Sequence, residues 1–174
     1  MNNKANYKND NNRLSGKTNI IYFIVFVLLT FIDQISKYLA AHFLSSRDIT
    51  IIPGVLELHY LENKGAAWGI MQNKTWILVS ITIVVMIVIV YTFLKLPAGK
   101  RFRLLHFCLV LLASGALGNF IDRISNRYVI DFIYFSLINF PVFNLADCFV
   151  CISAILILYC ILFKYKDDDF KKGD

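Results

Sequence analysis

TWILVSITIVVMIVIVYTFL, residues 75–94, runs for twenty residues without one charged or amide side chain. At 1.5 Å per residue such a helix crosses a hydrocarbon core of about 30 Å, and no soluble helix needs to be apolar on every face. The stretch reads as a lipid-facing membrane span. Working outward, hydropathy predicts three more spans, over 19–44, 104–121 and 145–165, the first with its polar interruption confined to 33–37. Composition agrees, because a 174-residue chain that is 57% hydrophobic and 17% charged cannot hide its apolar side chains inside a soluble core. The fold class is an all-α membrane protein built as a four-helix bundle.

Charge placement orients the bundle. Lys4, Lys8, Arg13 and Lys17 precede the first span; Lys95, Lys100, Arg101 and Arg103 fill the short loop after the second; Lys164, Lys166, Lys171 and Lys172 close the chain. By the positive-inside rule both termini are cytoplasmic, and the loops 45–74 and 122–144 lie outside. The net charge of +6 thus reports topology and does not call for nucleic acid. Residues 1–18 read as a polar cytoplasmic tail, 19–165 as one membrane domain and 166–174 as a second tail. The basic start resembles the front of a signal peptide, but the apolar run after it is too long and lacks a small-residue cleavage site, so it is a retained anchor. In the first outer loop, IIPGVLELHYLEN has the alternation of a strand or hairpin at the membrane surface. In the second, YVIDFIYFSLINFPVF is aromatic and apolar, which suits an interfacial segment or a groove lining.

Ionisable groups near the spans carry the functional signal, because a charge at the bilayer centre costs roughly 2.5–3.5 kcal/mol even on lenient scales. Four carboxylates qualify: Asp33, Asp122, Asp131 and Asp147. By topology all four gather toward the outer leaflet. Asp33 has Lys37 one turn later, an i,i+4 ion pair expected to be structural and to brace the outer loop. Asp122 adjoins Arg123 and shares a helix face with Asn119, which suggests a fixed, supporting anion. Cys108, Cys148, Cys151 and Cys160 read as lipid-buried thiols, and His42, His59 and His106 are too scattered to suggest a metal site.

Asp147 and Asp131 differ from the other two. In FNLAD, 143–147, Asn144 can cap the last span and Asp147 then falls at N3, where capping and the helix dipole both favour a carboxylate. Capping alone is one reading of Asp147; a general base is the other. Asp131, in VIDF at 129–132, has apolar neighbours and no adjacent cation, so desolvation should raise its pKa. If the two meet, they share one proton: one activates water while the other polarises a carbonyl. That is aspartic-peptidase chemistry, and it requires no metal, cofactor or nucleophilic serine. A small four-span transporter using Asp33 is the alternative, but two long outer loops holding carboxylates argue against it.

Five segments then occur in a familiar order: FIDQISKYLA (31–40), ENKGAAWG (62–69), GALGNFIDR (115–123), VIDF and FNLAD. On these, over roughly residues 30–150, the chain resembles the lipoprotein signal peptidases, the type II signal peptidases of bacteria. The resemblance implies an aspartic endopeptidase of the cell inner membrane with Asp131 and Asp147 as its catalytic pair. It implies that Asp33, Lys37, Asn63, Gly65, Ala66, Asn119, Asp122, Arg123 and Asn144 support the site or hold the substrate. It also implies a small extracytoplasmic β-cradle and a flap over the bundle, with Trp68 standing where the family more often has Phe. The implied substrate is a prolipoprotein whose cysteine already carries diacylglycerol, cut just before that cysteine. Membrane lipid is the other implied partner, and peptide antibiotics such as globomycin are the implied inhibitors. In the third span, Ser114 with Gly118 and Gly115 with Asn119 are small-residue pairs that permit close helix or ligand approach.

Overall fold

The computed structural model describes residues 14–65 and 70–165. Lys4, Lys8, Arg13, the residues Ala66, Ala67, Trp68 and Gly69 on which the expected flap falls, and Lys166, Lys171 and Lys172 lie outside the described residues. Among the described residues four helices are long and apolar enough to cross a membrane, and a small antiparallel sheet sits at one end of them. In chain order the elements are α1 (Gly16–Leu44), β1 (Ile49–Ile52), β2 (Leu56–Asn63), α2 (Thr75–Lys95), α3 (Arg103–Asn126), β3 (Val129–Tyr134) and α4 (Leu145–Tyr159).

Sequence features set the boundaries. α2 stops at Lys95 because Leu96 precedes Pro97 and is forced extended, at ψ 134°. α4 begins with a capping box in which Asn144 and Asp147 each bond the other's backbone N–H, and it runs on into a π-helical turn, Cys160–Lys164. The third helix departs from the hydropathy reading. It continues past residue 121 to Asn126, so Asp122 and Arg123 are helical residues and not the start of an outer loop. Hydropathy ends a span at the first charges, but these side chains find partners on neighbouring elements. The helix stops only where Arg127 turns left-handed, at φ 69°.

α3 is the central helix. In its most apolar window 61% of residues are buried, against 6% for α1 and 17% each for α2 and α4. The other three therefore present Phe23, Ile87, Leu94 and Ile155 outward, which lipid solvates at no cost. At the end away from the sheet, Ile89, Leu96, Phe102, Leu105, Leu109, Cys160 and Tyr165 form one core cluster. His106 is sealed beside it, its Nδ1 3.0 Å from the Phe102 carbonyl and its ring stacked on Tyr22.

At the other end, Ala40 and Leu44 of α1 pack against Ile130 and Phe132 of β3, which seats the sheet on the bundle. The strand order is β1-β2-β3. β1 and β2 are joined through Pro53 and Gly54, with Val55 N–H donating to the Ile52 carbonyl at 3.0 Å. Gly54 takes φ 70°, as the third residue of a type II turn requires. Leu61 lies opposite Asp131 and Asn63 opposite Val129, so Asn63 and Asp131 are diagonal neighbours on one face. Beyond β3 the chain folds back, and Phe143 pairs with Ile133 through N–H···O bonds of 2.8 and 3.0 Å. This return is what brings the start of α4 beside Asp131.

Candidate active site

Three polar pieces from distant parts of the chain meet where α1, α3, α4 and the sheet converge. The deepest is an ion triad. Lys37 Nζ lies 2.9 Å from Asp33 Oδ2 and 3.2 Å from Asp122 Oδ2, and all three side chains are buried. Two carboxylates around one ammonium leave a net negative charge, and neutral donors complete it. Asp33 Oδ1 accepts from Ala146 N–H of α4 at 2.8 Å. Asp122 accepts from Ile130 N–H at 3.0 Å and from Gln34 Nε2 at 3.2 Å. The triad thereby ties α1, α3, β3 and α4 at one point.

Two sequence expectations change here. Asp33 does pair with Lys37 at i,i+4, but its own oxygen holds the first turn of α4, and the pair reaches the outer loop only through Asp122, which holds Ile130 of β3. Asp122 pairs with Lys37 and not with its neighbour Arg123, because successive helical residues point in different directions. Arg123 instead donates to the Gly65 and Asn119 carbonyls, both at 3.4 Å. Gln34 was not singled out from sequence. A polar side chain beside Asp33 within an apolar span was the available signal.

From the triad a chain of amides leads outward. Lys37 donates to Asn119 Oδ1 at 2.9 Å, and since an ammonium can only donate, this fixes which way the Asn119 amide faces. Asn119 Nδ2 is then aimed at Asp147 Oδ1, at 2.8 Å. Asp147 Oδ2 accepts from Asn144 N–H at 3.2 Å, completing the capping box. Asn144 Nδ2 reaches Asp131 Oδ1 at 2.6 Å, Asn119 Oδ1 at 3.1 Å and the Ile130 carbonyl at 3.2 Å. Asn63 closes the set. Its Oδ1 accepts from Gly65 N–H at 3.0 Å, leaving Nδ2 to donate to Asp131 Oδ2 at 2.8 Å. Each carboxylate thus receives two donors, and each donor amide is oriented by a third group.

Asp131 is 1% exposed. Burial, with the negative charge of Asp147 nearby, pushes its carboxyl up to about 7, against the pull of Asn63, Asn144 and Lys37. Such a group holds a proton near neutral pH. Both Asp131 and Asp147 line one cavity of about 1470 Å³, together with Asn63, Asn119 and Arg123. The rest of its lining is mixed, with polar Glu62, Lys64, Gln72 and Asn73 and apolar Phe140, Val142, Val150 and Ile152.

The structure brings Asp33, Lys37, Asn63, Gly65, Asn119, Asp122, Arg123, Asp131, Asn144 and Asp147 into this one assembly; Ala66 lies outside the described residues. The small residues of α3 serve the same approach. A Cβ on Gly118 would run into the Asp33 carboxylate, and one on Gly115 would run into the Ala146 carbonyl and lie 2.9 Å from Val150 Cγ2. Of the thiols, Cys108 and Cys160 are buried, while Cys148 and Cys151 line the cavity.

Comparison with known proteins agrees with this architecture. The chain is 42% identical over 143 residues to a lipoprotein signal peptidase of Caldanaerobacter subterraneus subsp. tengcongensis, covering 81% of this chain and 95% of that one. It is 35% identical over 151 residues to a lipoprotein signal peptidase of Streptococcus pyogenes serotype M1, covering 86% and 96%. Two solved structures, each described as a bacterial membrane enzyme structure by the in meso method, superpose with TM-scores of 0.74 and 0.73. Their identities are 32% and 33%, covering 90% and 88% of this chain and 96% and 98% of theirs. A family model described as Signal peptidase (SPase) II matches residues 25–163, and the chain belongs to the signal peptidase II family.

Proposed function

We propose that this chain is an aspartic endopeptidase that removes the signal peptide from diacylglyceryl-modified prolipoproteins, cutting just before the lipidated cysteine, with Asp131 and Asp147 as the catalytic pair. The observation that carries the reading is the convergence of both carboxylates, each held by two oriented donors, on one cavity. Asp147, fixed at a helix start, takes a proton from water, and the hydroxide equivalent adds to the scissile carbonyl carbon. Asp131, carrying the proton that burial favours, donates it toward the carbonyl oxygen as charge develops there. As the tetrahedral species collapses, its hydroxyl returns a proton to Asp131 and the C–N bond breaks, the leaving amine taking up the proton Asp147 holds. Asn63, Asn119, Asn144 and Arg123 keep the carboxylates and the peptide in register; Asp33, Lys37 and Asp122 hold the helices that carry them.

The setting fits a lipidated substrate. A cavity lined by both polar and apolar side chains suits a substrate that is part peptide and part acyl chain. Lys95, Lys100, Arg101, Arg103 and Lys164 stand at the end away from the sheet, which supports cytoplasmic termini, an inner-membrane location and a site at the outer leaflet. Peptide antibiotics of the globomycin kind are expected to occupy the same cavity.

The test is incubation of the purified chain with a diacylglyceryl-modified prolipoprotein and its unmodified twin. Cleavage before the cysteine of the modified form alone is expected. Equal cleavage of both would remove the lipid requirement, and turnover by Asp131→Asn or Asp147→Asn would remove the catalytic pair.

A further inference from the structure

Between Asp131 and Asp147 the chain runs for fifteen residues, 132–146, without a charge. Residues 135–143 are not part of any helix long enough to span a membrane, nor of the sheet beyond the single Ile133–Phe143 pairing. The other connection at this end, 49–63, carries Glu57, His59 and Glu62. The arm is nonetheless built firmly. Phe135 stacks on Phe143 with centroids 5.8 Å apart, and Phe140 meets Phe143 edge-on at 5.7 Å. Phe140 N–H donates to the Phe135 carbonyl at 3.1 Å, and Tyr134 Oη donates to Asn139 Oδ1 at 2.7 Å. Asn139 takes the left-handed conformation, φ 47°, that closes the loop.

What this pedestal holds up is the 3-10 turn Ser136–Ile138, whose Leu137 and Ile138 are 68% and 69% exposed. In water that placement spends rigidity on showing two large aliphatic side chains to solvent. It becomes favourable against lipid. The position agrees, because Phe140, Pro141 and Val142 line the same cavity as Val150, Cys151 and Ile152, one to two turns down α4. The arm therefore flanks the membrane-facing part of α4, whose Ile152 and Ile155 are 50% and 68% exposed.

We propose that Leu137 and Ile138 form a membrane-inserting tip, immersed in the acyl region of the leaflet at the sheet end, and that the arm 135–143 is the lipid-side lip of the cavity. The occupant of this apolar tip is bilayer lipid, not a second protein. The use made of the tip, admitting a substrate's acyl chain from the bilayer without exposure to water, rests on the peptidase reading; the insertion itself does not.

The test replaces Ile138 with the fluorescent amino acid dansylalanine in the full chain, reconstituted in vesicles of phosphatidylcholine and phosphatidylglycerol. Nitroxide-bearing phosphatidylcholine should quench the probe strongly, while aqueous iodide should quench it several-fold less than it quenches the free amino acid. Iodide quenching equal to that of the free amino acid would overturn the proposal. Protection from both quenchers would overturn it too, by pointing to a protein partner or a second copy. In parallel, Leu137→Ser with Ile138→Ser should raise the apparent KM for a vesicle-embedded diacylglyceryl substrate several-fold. It should leave kcat, and cleavage of a short diacylglyceryl-modified peptide in detergent, unchanged. An unchanged KM would refute the role in substrate entry. Loss of cleavage in wild type in both formats would instead refute the peptidase reading, with the quenching result still standing.

Discussion

Asp131→Asn is expected to do two things at once: end cleavage, and remove a pH dependence of stability that the wild-type chain carries. The Asp131 carboxyl is pushed from the ordinary 3.8 up to about 7 by burial and by the charge of Asp147. Between roughly pH 4 and pH 7 the folded chain therefore keeps a proton that the unfolded chain has released. Folding takes up a proton in that window, so stability is greatest on its acid side and falls as pH rises through it. At about 1.4 kcal/mol per pH unit the full loss is about 4 kcal/mol, reached near neutrality and constant above it. Asparagine resembles the neutral acid in shape and suffers no such loss. It offers only one acceptor oxygen, however, where Asn63 and Asn144 both donate, and an orphaned buried donor costs about 1–3 kcal/mol. The variant should thus be more stable than wild type by about 1–3 kcal/mol above neutral pH, an advantage that shrinks as pH is lowered. Thermal unfolding in detergent micelles across this range, with calorimetric detection, measures both curves. Parallel curves for the two chains would refute the placement of the proton on Asp131.

Three further outcomes follow from the same geometry. Lys37→Met leaves Asp33 and Asp122 buried without a cation and should cost roughly 3–5 kcal/mol, part of it recovered by adding Asp33→Asn; equal stability of single and double variants in detergent unfolding would contradict the triad. Gly118→Ala forces the Asp33 carboxylate away from Lys37 and Ala146, with an expected loss of about 1–3 kcal/mol, and a wild-type melting temperature would show the contact to be soft. Asn144→Ala removes the cap of α4, about 1 kcal/mol by itself, and also a donor to Asp131; kcat should fall far more than stability does, and matched losses would assign Asn144 to capping alone.

Much of this was legible in the sequence, for identifiable reasons. The spans were readable because lipid imposes a crude rule, a length and a lack of charge, that 75–94 satisfies without help from neighbours. A strand or hairpin in the first outer loop was readable from the alternating, β-branched residues of IIPGVLELHYLEN. The capping role of Asn144 followed from its spacing to Asp147 and stands in the structure as a reciprocal pair. The end of α3 was not readable, since a charged residue ends an apolar run whether it faces water or a buried partner. Only the fold supplies the partner, which for Asp122 is Lys37 on α1. The same holds for Asn63 and Asn119. Each is an ordinary amide in sequence, and what distinguishes them is the group that turns each amide to face a carboxylate, Gly65 N–H in one case and Lys37 in the other.

The pairing of Asp33 with Lys37 on a single helix also bears on how the chain enters the bilayer. An ammonium within a first span, here at the twenty-second of the 29 residues of α1, would hinder its transfer into lipid. With a carboxylate 2.9 Å away on the preceding turn, the segment is electrically neutral as soon as it is helical, before α2 and α3 have been synthesised. Asp122 arrives later, on a helix that can lodge in the bundle by docking onto a cation already in place. The ion pair that braces the finished site is thus also a temporary neutraliser, one that lets the helices be inserted one after another in chain order.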